Sequence, residues 1–176
     1  EGIKVALISS GESGFYGMAG LLLELLQKIK KEYRPYFEVH PGISSVQLAA
    51  AISGAPLMND FCSVSLSDKL TPWPLIEKRI KGALMGDFVI ALFNPQSIER
   101  NWQLKSVIDI CLQSRHGDTP VLLARQVGRE NQTKKFFTLN TIPFKEIDML
   151  SIIIIGNSQT TLVDEIFLTP RGYLQN

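Results

Sequence analysis

The chain has 176 residues, of which 45% are hydrophobic and 20% are charged, a composition typical of a folded protein with a sizeable core. The formal net charge of +1 excludes a strong basic field, so neither nucleic acid nor an anionic membrane surface is indicated as a partner. No apolar run approaches the roughly 18 residues of a membrane-spanning helix, and no signal-peptide pattern is present. The two cysteines, Cys62 and Cys111, lie far apart, which favours a reducing, cytoplasmic location over a disulfide framework.

Strand-like and helix-like segments alternate along the chain, which predicts an α/β fold. Short apolar runs predict strands at residues 4–9, 36–40, 61–66, 88–93, 121–125, 135–139, 151–155 and 165–168. Apolar residues with helical spacing predict helices at residues 16–33, 44–53, 74–85 and 101–114. We therefore expect a βαβα lobe over residues 1–57 and a mixed-sheet α/β lobe over residues 58–176.

A glycine-rich turn joins the first predicted strand to the first predicted helix. Gly11, Gly14, Gly17 and Gly20 fall three residues apart. The first two suit a turn that needs unusual φ values, and the last two suit close packing at a helix start. The turn lacks the lysine of a P-loop and the spacings of G-x-G-x-x-G and G-x-S-x-G. Two interpretations stay open, a tight βα turn and a helix N-terminus that holds a polar ligand.

Two further turns follow predicted strands. Ser44 and Ser45 precede the second predicted helix, where they serve either as an N-cap or as polar groups of a site. Asn94 precedes Pro95, which favours extended backbone geometry at residue 94. Its amide either projects at the strand end or belongs to an ordinary terminating turn.

The densest basic stretch contains Arg125 and Arg129. Such a stretch is usually a solvated loop, but arginine forks at a crevice would suit a substrate with several carboxylates. No residue spacing typical of a metal site is present. Asp60 and Asp68 are candidate acids whose spacing does not pair them.

Taken in order, these turns resemble the tetrapyrrole methylase family. The matching segments are SSGESGFYGMAG, HPGISS, GAPLMNDF, SLSDKLTPW, ALFNPQS, GRENQ, DMLSIIIIGNSQT and TPRGY. The resemblance extends from Val5 to Tyr173 and is closest to the branch that methylates C17 of a precorrin-3-type tetrapyrrole. It implies a two-lobed tetrapyrrole-methylase fold, S-adenosylmethionine as methyl donor with S-adenosylhomocysteine as product, and a ring contraction in cobalamin biosynthesis. It also implies a cytoplasmic homodimer.

The resemblance assigns roles to individual positions. Its cofactor contacts fall on Ser10, Gly11, Glu12, Phe15, Ser44, Ser45, Phe93, Asn94, Phe137 and Thr138. Its substrate contacts fall on Tyr16, Met18, Arg125 and Arg129, and Asp60 and Asp68 are candidates for the proton transfers of ring contraction. The chain departs from the family at Glu12, where aspartate is common, and at Phe93, where tyrosine is usual.

Three alternatives stay open. The first is another tetrapyrrole methylase, which acts at a different ring carbon. The family's first strand and its glycine- and proline-rich loop have no counterpart before Val5, so we also consider a truncated, non-catalytic lobe. A hydrolase with Ser13 as nucleophile would need a histidine oriented by an acid, and neither His40 nor His116 has an acid evident beside it in the sequence.

Overall fold

A computed structural model of the chain describes residues 2–97 and 99–173. The chain divides into two compact units, Glu1–Gln47 and Leu48–Asn176, which we call the N-terminal unit and the C-terminal unit. The predicted lobe boundary after Leu57 falls inside the C-terminal unit. The α/β class predicted from the sequence is confirmed.

The N-terminal unit consists of helix and extended chain. Helix α1 covers Met18–Gln27, a short 3-10 helix covers Lys31–Tyr33, and helix α2 covers Ser45–Ser53 and continues into the C-terminal unit. The predicted helix at residues 16–33 is therefore shorter than expected. It begins after Gly17, whose backbone is extended, and the backbone N–H groups of Lys28 and Ile29 close its last turn by donating to the carbonyls of Leu25 and Leu26.

The prediction of two strands in the N-terminal unit is wrong. Neither residues 4–9 nor residues 36–40 form a strand, and Ile3, Val5 and Ile8 remain 86%, 87% and 90% exposed. A strand is stabilised by a hydrogen-bonded neighbour and by burial of one face. Within the described part of this unit the two segments have neither, so apolar alternation alone does not make them strands.

The C-terminal unit carries the sheets. Its strands are β1 Gly54–Ala55, β2 Phe61–Ser65, β3 Val89–Phe93, β4 Pro120–Arg125, β5 Thr133–Thr138, β6 Ser151–Ile155, β7 Thr161–Val163 and β8 Ile166–Leu168. Six of them confirm predicted strands to within a few residues. The sequence analysis missed β1 and β7, because a two-residue strand and an exposed three-residue strand leave almost no apolar pattern.

Five strands form the main sheet, in the order β2-β3-β6-β4-β5. β2 and β3 are parallel, whereas β6 is antiparallel to both of its neighbours and β5 is antiparallel to β4. The carboxyl ends of β2, β3 and β4 therefore meet the amino ends of β5 and β6 at one end of the sheet, which we call the Asn94 edge. The opposite end, where Asp87 precedes β3, is the Asp87 edge.

Two helices cover one face of the main sheet. Helix α3, Trp73–Met85, connects β2 to β3, and helix α4, Gln103–Leu112, connects β3 to β4. α4 buries Leu104, Val107, Ile108 and Cys111, which are the i, i+3, i+4 and i+7 positions of one stripe. This stripe packs against alternate residues of β3, β4 and β6 in the main core. Trp73 and Trp102 meet edge to face at the helix starts, with ring centroids 4.7 Å apart.

The other three strands form a small sheet in the order β1-β8-β7. β7 and β8 form a hairpin whose two loop residues, Asp164 and Glu165, both have positive φ. This is the type I′ conformation that matches the twist of the flanking strands. β1 pairs in parallel with β8, so residues that follow α2 join the C-terminal unit.

Candidate cofactor and substrate site

The Asn94 turn is the most constrained feature of the Asn94 edge. Asn94 directly follows β3 and has φ +49°, so the extended backbone predicted for it from the following proline is wrong. Its conformation is left-handed, which asparagine tolerates better than most residues. Its Nδ2 donates a hydrogen bond of 2.9 Å to Oγ of Ser65, the last residue of β2. Its carbonyl oxygen accepts a hydrogen bond of 2.7 Å from the Arg100 guanidinium. The side-chain Nδ2 and the backbone carbonyl of Asn94 are thus held by the protein, and the residue is half-buried beside Phe93.

Asp68 lies beyond the end of β2 at the same edge. Its Oδ2 accepts a hydrogen bond of 2.8 Å from Nε2 of Gln103, the first residue of α4. Gln103 is 2% exposed, and its Oε1 accepts no hydrogen bond from the described residues. Oε1 of Gln96 is also buried and accepts no hydrogen bond from the described residues. A buried amide oxygen without a donor is costly, so this edge offers acceptors to a group that carries N–H or O–H donors.

Arg125 ends β4 at the Asn94 edge and is bound to Asp148. Its Nε and Nη2 donate to Oδ2 of Asp148 at 2.9 and 2.7 Å. Burial of Asp148 raises the pKa of its carboxyl, but hydrogen bonds from Arg125, Ser151 and the Leu150 backbone outweigh burial and lower the pKa below its usual value. The predicted contact between Arg125 and a substrate carboxylate stays a prediction, and two of the arginine's donors already bind this aspartate.

Arg129 lies in the loop that follows β4. Gln126 and Gly128 both have positive φ, and a Cβ at Gly128 would lie 2.8 Å from the Leu48 side chain. The turn is closed by a hydrogen bond of 3.0 Å from the Arg129 backbone N–H to the Gln126 carbonyl. The Arg129 side chain is exposed, so it is accessible to an anionic ligand.

Three predicted site residues lie away from this edge. Phe137 and Thr138 end β5, and they pair with Val121 and Pro120 at the start of β4. Asp60 directly precedes β2. All three therefore lie at the Asp87 edge, about 13–17 Å along the strands from the Asn94 turn, since a strand rises about 3.3 Å per residue. The structure does not bring Phe137 and Thr138 together with Phe93 and Asn94, or Asp60 together with Asp68.

The glycine turn of the N-terminal unit is built by close backbone contact. Gly11 has φ +74°, and a Cβ at Gly42 would lie 2.0 Å from the Gly11 carbonyl oxygen. A Cβ at Gly17 would lie 2.4 Å from the Ser13 carbonyl oxygen, which explains why glycine precedes α1. The expected packing at Gly20 is absent, because a Cβ there would meet no described atom within 4 Å. The turn is thus packed onto residues 40–43 of the same unit.

The predicted site residues around this turn differ in accessibility. Glu12 and Phe15 are half-buried, whereas Ser10, Tyr16 and Met18 are exposed. Phe15 and Tyr16 stack with ring centroids 5.0 Å apart, and Tyr16 has φ +57°.

Ser44 and Ser45 start helix α2, as predicted. The backbone N–H of Ser44 donates to Oε1 of Gln47 at 3.0 Å, and the Gln47 N–H donates back to the Ser44 carbonyl. The bond to Oε1 is one half of a capping box, the half in which a side chain three residues into the helix accepts from the N-cap N–H. Ser44 is buried and Ser45 is half-buried.

The hydrolase alternative finds no support at Ser13. Its hydroxyl donates a hydrogen bond of 3.2 Å to the His40 backbone carbonyl, not to an imidazole nitrogen. A nucleophilic serine gives its proton to a base, which a carbonyl oxygen is not.

The sequence analysis missed Ser65, Arg100 and Gln103. Ser65 and Asn94 end neighbouring parallel strands, and the carboxyl ends of parallel strands meet at one edge, so the pairing of β2 with β3 was the signal that could have found Ser65. Arg100 and Gln103 carry no pattern of their own. Their roles depend on the fold of the loop between β3 and α4.

The family resemblance implies S-adenosylmethionine as cofactor. This cofactor carries amino and hydroxyl donors, which match the two buried amide oxygens of Gln96 and Gln103. Among residues 2–97 and 99–173, no group of three or more histidine, cysteine, aspartate or glutamate residues is placed to hold a metal ion. Within the same residues, no helix is long and apolar enough to cross a membrane.

Comparison with known proteins gives three relatives of high similarity. The chain is 46% identical over 172 residues to the probable cobalt-factor III C(17)-methyltransferase of Salmonella typhimurium, covering 98% of this chain and 70% of that protein. It is 46% identical to the cobalt-factor III methyltransferase of Priestia megaterium, covering 98% of this chain but 32% of that protein. It is 34% identical to the precorrin-3B C(17)-methyltransferase of a Sinorhizobium species, covering 98% and 70%.

Solved structures agree with these relatives. The crystal structure of the methyltransferase CobJ superposes with a TM-score of 0.86 at 34% identity, covering 91% of this chain and 67% of that chain. A Thermus thermophilus uroporphyrin-III C-methyltransferase, solved with S-adenosylhomocysteine, has a TM-score of 0.59 at 16% identity and covers 83% and 62%. The second likeness supports the fold alone. The profile of the tetrapyrrole (corrin/porphyrin) methylases matches residues 1–143. Because this profile covers more than half of the chain and a relative is 46% identical over 98% of it, the chain belongs to the tetrapyrrole methylase family.

Proposed function

We propose that this chain binds S-adenosylmethionine and takes part in methyl transfer to C17 of a precorrin-3-type tetrapyrrole in cobalamin biosynthesis. The Asn94 turn at the carboxyl ends of β2 and β3 carries the proposal, because ligands of α/β sheets bind outside the carboxyl ends of parallel strands. The names of the relatives supply the reaction. The chain spans 70% of two of these relatives and 32% of the third, so the complete reaction is proposed here.

Within the C-terminal unit, we assign cofactor binding to Phe93 and Asn94. The left-handed turn sets the orientation of the backbone that follows β3, and the buried oxygen of Gln103 offers an acceptor at the same edge. Phe137 and Thr138 are left out of this assignment because they lie at the Asp87 edge.

Within the N-terminal unit, we assign cofactor binding to the Gly11 turn and to the start of α2. The turn backbone is held by contact between Gly11 and Gly42, and the half-buried Glu12 carboxylate suits a ligand hydroxyl or ammonium group. Ser10, Phe15, Ser44 and Ser45 belong to the same assignment, and Tyr16 and Met18 are proposed to contact the tetrapyrrole.

When bound, S-adenosylmethionine supplies an electrophilic methyl group. The protein's contribution is to hold the donor and the ring carbon in a fixed orientation, which provides much of the acceleration of such a transfer. The hydrogen-bonded Asn94 serves this role, since its side-chain Nδ2 and its backbone carbonyl are held by the protein. Of the two candidate acids, Asp68 lies at the Asn94 edge, so we propose its carboxylate and not that of Asp60 as the group that holds a proton during ring contraction.

The substrate carries several carboxylates, and Arg129 is proposed to bind one of them because its side chain is exposed. Identity is higher to the proteins named for cobalt-factor III, at 46%, than to the protein named for precorrin-3B, at 34%. We therefore propose the cobalt-containing tetrapyrrole as the first substrate to test. A homodimer and a cytoplasmic location are also proposed, from the family resemblance, and light scattering of the purified chain tests the first.

Calorimetric titration of S-adenosylhomocysteine into the purified chain tests cofactor binding. We expect saturable binding at one site, and no comparable heat with ATP, which shares the adenosine but lacks the amino-acid end. Gln113→Ala, at an exposed position after α4, serves as a control that keeps binding. A folded chain that binds no S-adenosylhomocysteine would refute the proposal for this polypeptide.

Transfer of a labelled methyl group tests catalysis. The chain is incubated with labelled S-adenosylmethionine and either the cobalt-containing or the metal-free substrate, and the product is analysed for a methyl group at C17. Label at another ring carbon would favour a different tetrapyrrole methylase. Cofactor binding without transfer to either substrate would favour the non-catalytic lobe.

A further inference from the structure

The structure contains a second buried side chain at the Asn94 edge that no motif predicted. Arg100 lies in the loop between β3 and α4 and is 6% exposed. Ser97 and Arg100 exchange two backbone hydrogen bonds, of 2.9 and 3.1 Å, which fix the backbone from which the side chain projects.

The Arg100 guanidinium ties together the ends of three adjacent strands. Its Nη1 donates to the Leu66 carbonyl, just after β2, at 2.9 Å and to the Asn94 carbonyl, just after β3, at 2.7 Å. Its Nη2 contacts Sδ of Met149, just before β6, at 3.3 Å. β2, β3 and β6 are consecutive in the sheet, so one side chain spans the edge where the Asn94 turn lies.

The bond to the Asn94 carbonyl acts on a strained residue. A non-glycine residue at positive φ costs free energy and persists where its surroundings hold it. Asn94 is held on one side through its amide by Ser65 and on the other through its carbonyl by Arg100. Pro95 follows and has no N–H, so the next peptide cannot contribute a donor to hold the turn.

A contribution to fold stability does not by itself explain why an arginine occupies this buried position. Among the ion pairs formed by described residues, none includes Arg100, so its buried charge is balanced only by carbonyl dipoles and a thioether. Burial of a charge is costly, and well-packed apolar residues often stabilise such positions equally well. The two hydrogens of Nη1 are both directed at carbonyl oxygens, so this nitrogen acts on the turn and not on a ligand.

We propose that Arg100 is a positioning residue for cofactor binding: its guanidinium holds the Asn94 turn in the conformation that binds S-adenosylmethionine. The inference rests on the proposed function, because it assigns Asn94 to the cofactor site.

The chain offers a matched control in Arg115, which follows α4. The Arg115 side chain is also buried, and its guanidinium donates to the carbonyls of Phe88 and Gly156 at the Asp87 edge. Unlike Arg100, it also lies 3.9 Å from a carboxylate oxygen, Oδ1 of Asp87. Each arginine therefore bridges two backbone carbonyls at strand ends, but only Arg100 touches Asn94. Loss of either should destabilise the fold, whereas only loss of Arg100 should weaken cofactor binding.

The test compares Arg100→Met and Arg100→Lys with Arg115→Met. S-adenosylhomocysteine affinity is measured by calorimetry and the unfolding midpoint by circular dichroism. We expect Arg100→Met to raise Kd by about tenfold, which corresponds to about 1.4 kcal/mol. Arg115→Met should change Kd by less than about threefold, at a comparable loss of unfolding midpoint. In nitrogen–proton NMR spectra without ligand, the Asn94 side-chain amide should shift in Arg100→Met and not in Arg115→Met.

Arg100→Lys separates charge from geometry and serves if Arg100→Met does not fold. Lysine keeps the charge but cannot present a planar fork to two carbonyls, so Kd should rise here as well. Full affinity in Arg100→Lys, or equal changes of Kd in the Arg100 and Arg115 variants, would overturn the positioning role. A wild-type chain that binds no S-adenosylhomocysteine would instead refute the proposed function, which distinguishes the two failures.

Discussion

Arg100 and Arg115 lie on either side of α4, and each closes a different end of the main sheet with the same chemistry. Arg100 donates to the carbonyls that follow β2 and β3, and Arg115 donates to the carbonyls that precede β3 and follow β6. A helix of ten residues is about 15 Å long, close to the length of a five-residue strand. The spacing of the two arginines therefore matches the two ends of the strands that α4 covers.

Arg115→Met should lower the free energy of unfolding by roughly 1–3 kcal/mol, because it leaves two part-buried carbonyls without this donor and removes the ion pair with Asp87. Urea denaturation followed by circular dichroism measures the change. Arg79→Met, on the exposed side of α3, provides the control and should leave the midpoint within error. An Arg115→Met chain as stable as wild type would show that water replaces the guanidinium at no cost.

The two cysteines should resist thiol reagents in the native state. Burial raises the pKa of Cys111 to about 11 against the opposing charge of Arg115, and burial also raises the pKa of Cys62. Because of these raised pKa values, both thiols are protonated at neutral pH. Thiolate is the reactive form, so both should react slowly. We expect slow labelling by a chromogenic disulfide at pH 7.5, with half-buried Cys62 ahead of buried Cys111, and two rapid equivalents in urea. Rapid labelling of Cys111 in the native chain would contradict its burial.

Asp148 should make stability depend on pH. Its pKa is lower in the folded chain than in the unfolded chain, so its contribution is present above pH about 4 and is lost as pH falls through the folded pKa. Both side chains of the Arg125 pair are more than a third exposed, so Asp148→Asn should cost about 1 kcal/mol or less at pH 7. The difference between wild type and variant should shrink progressively as pH falls below about 4. A constant difference from pH 7 to pH 3 would mean that the charge of Asp148 is not responsible.

Gly42 and Gly20 test the glycine turn as a pair. Gly42→Ala places a methyl group against the Gly11 carbonyl, so the turn must shift, and S-adenosylhomocysteine affinity should fall if this turn binds the cofactor. Gly20→Ala meets no described atom and lies inside α1, where alanine favours the helix by about 0.5–1 kcal/mol. Calorimetry should show weaker binding in the first variant and unchanged binding in the second. Wild-type affinity in Gly42→Ala would remove the Gly11 turn from the site.

Hydrogen exchange should separate the two units. β6 is buried along its whole length and hydrogen-bonded on both sides, so its amides should exchange most slowly. Residues 2–9 are almost entirely exposed and belong to no sheet, so their amides should exchange within seconds. Mass spectrometry of peptic peptides measures both. Protection of residues 2–9 comparable to β6 would show that this segment is paired in solution.

The sequence determined the elements whose stability is local or whose burial is complete. β6 is predicted at its observed bounds because five consecutive apolar or small residues suit a central strand buried on both faces. α4 is predicted because its apolar residues repeat with helical spacing. The ordered set of turns indicated membership of the tetrapyrrole methylase family, and the comparisons confirm this membership.

Tertiary structure alone decided which residues meet. The apolar alternation at residues 4–9 is the same signal as in a true strand, but a strand exists only where a neighbour completes its hydrogen bonds. Phe137 follows an apolar pattern as clear as that of Phe93, yet the antiparallel direction of β5 places it at the other end of the sheet. Arg100 has no pattern at all, and its role arises because two parallel strands end side by side with their carbonyls unpaired. Strand direction and pairing are long-range properties, and residue spacing along one chain does not contain them.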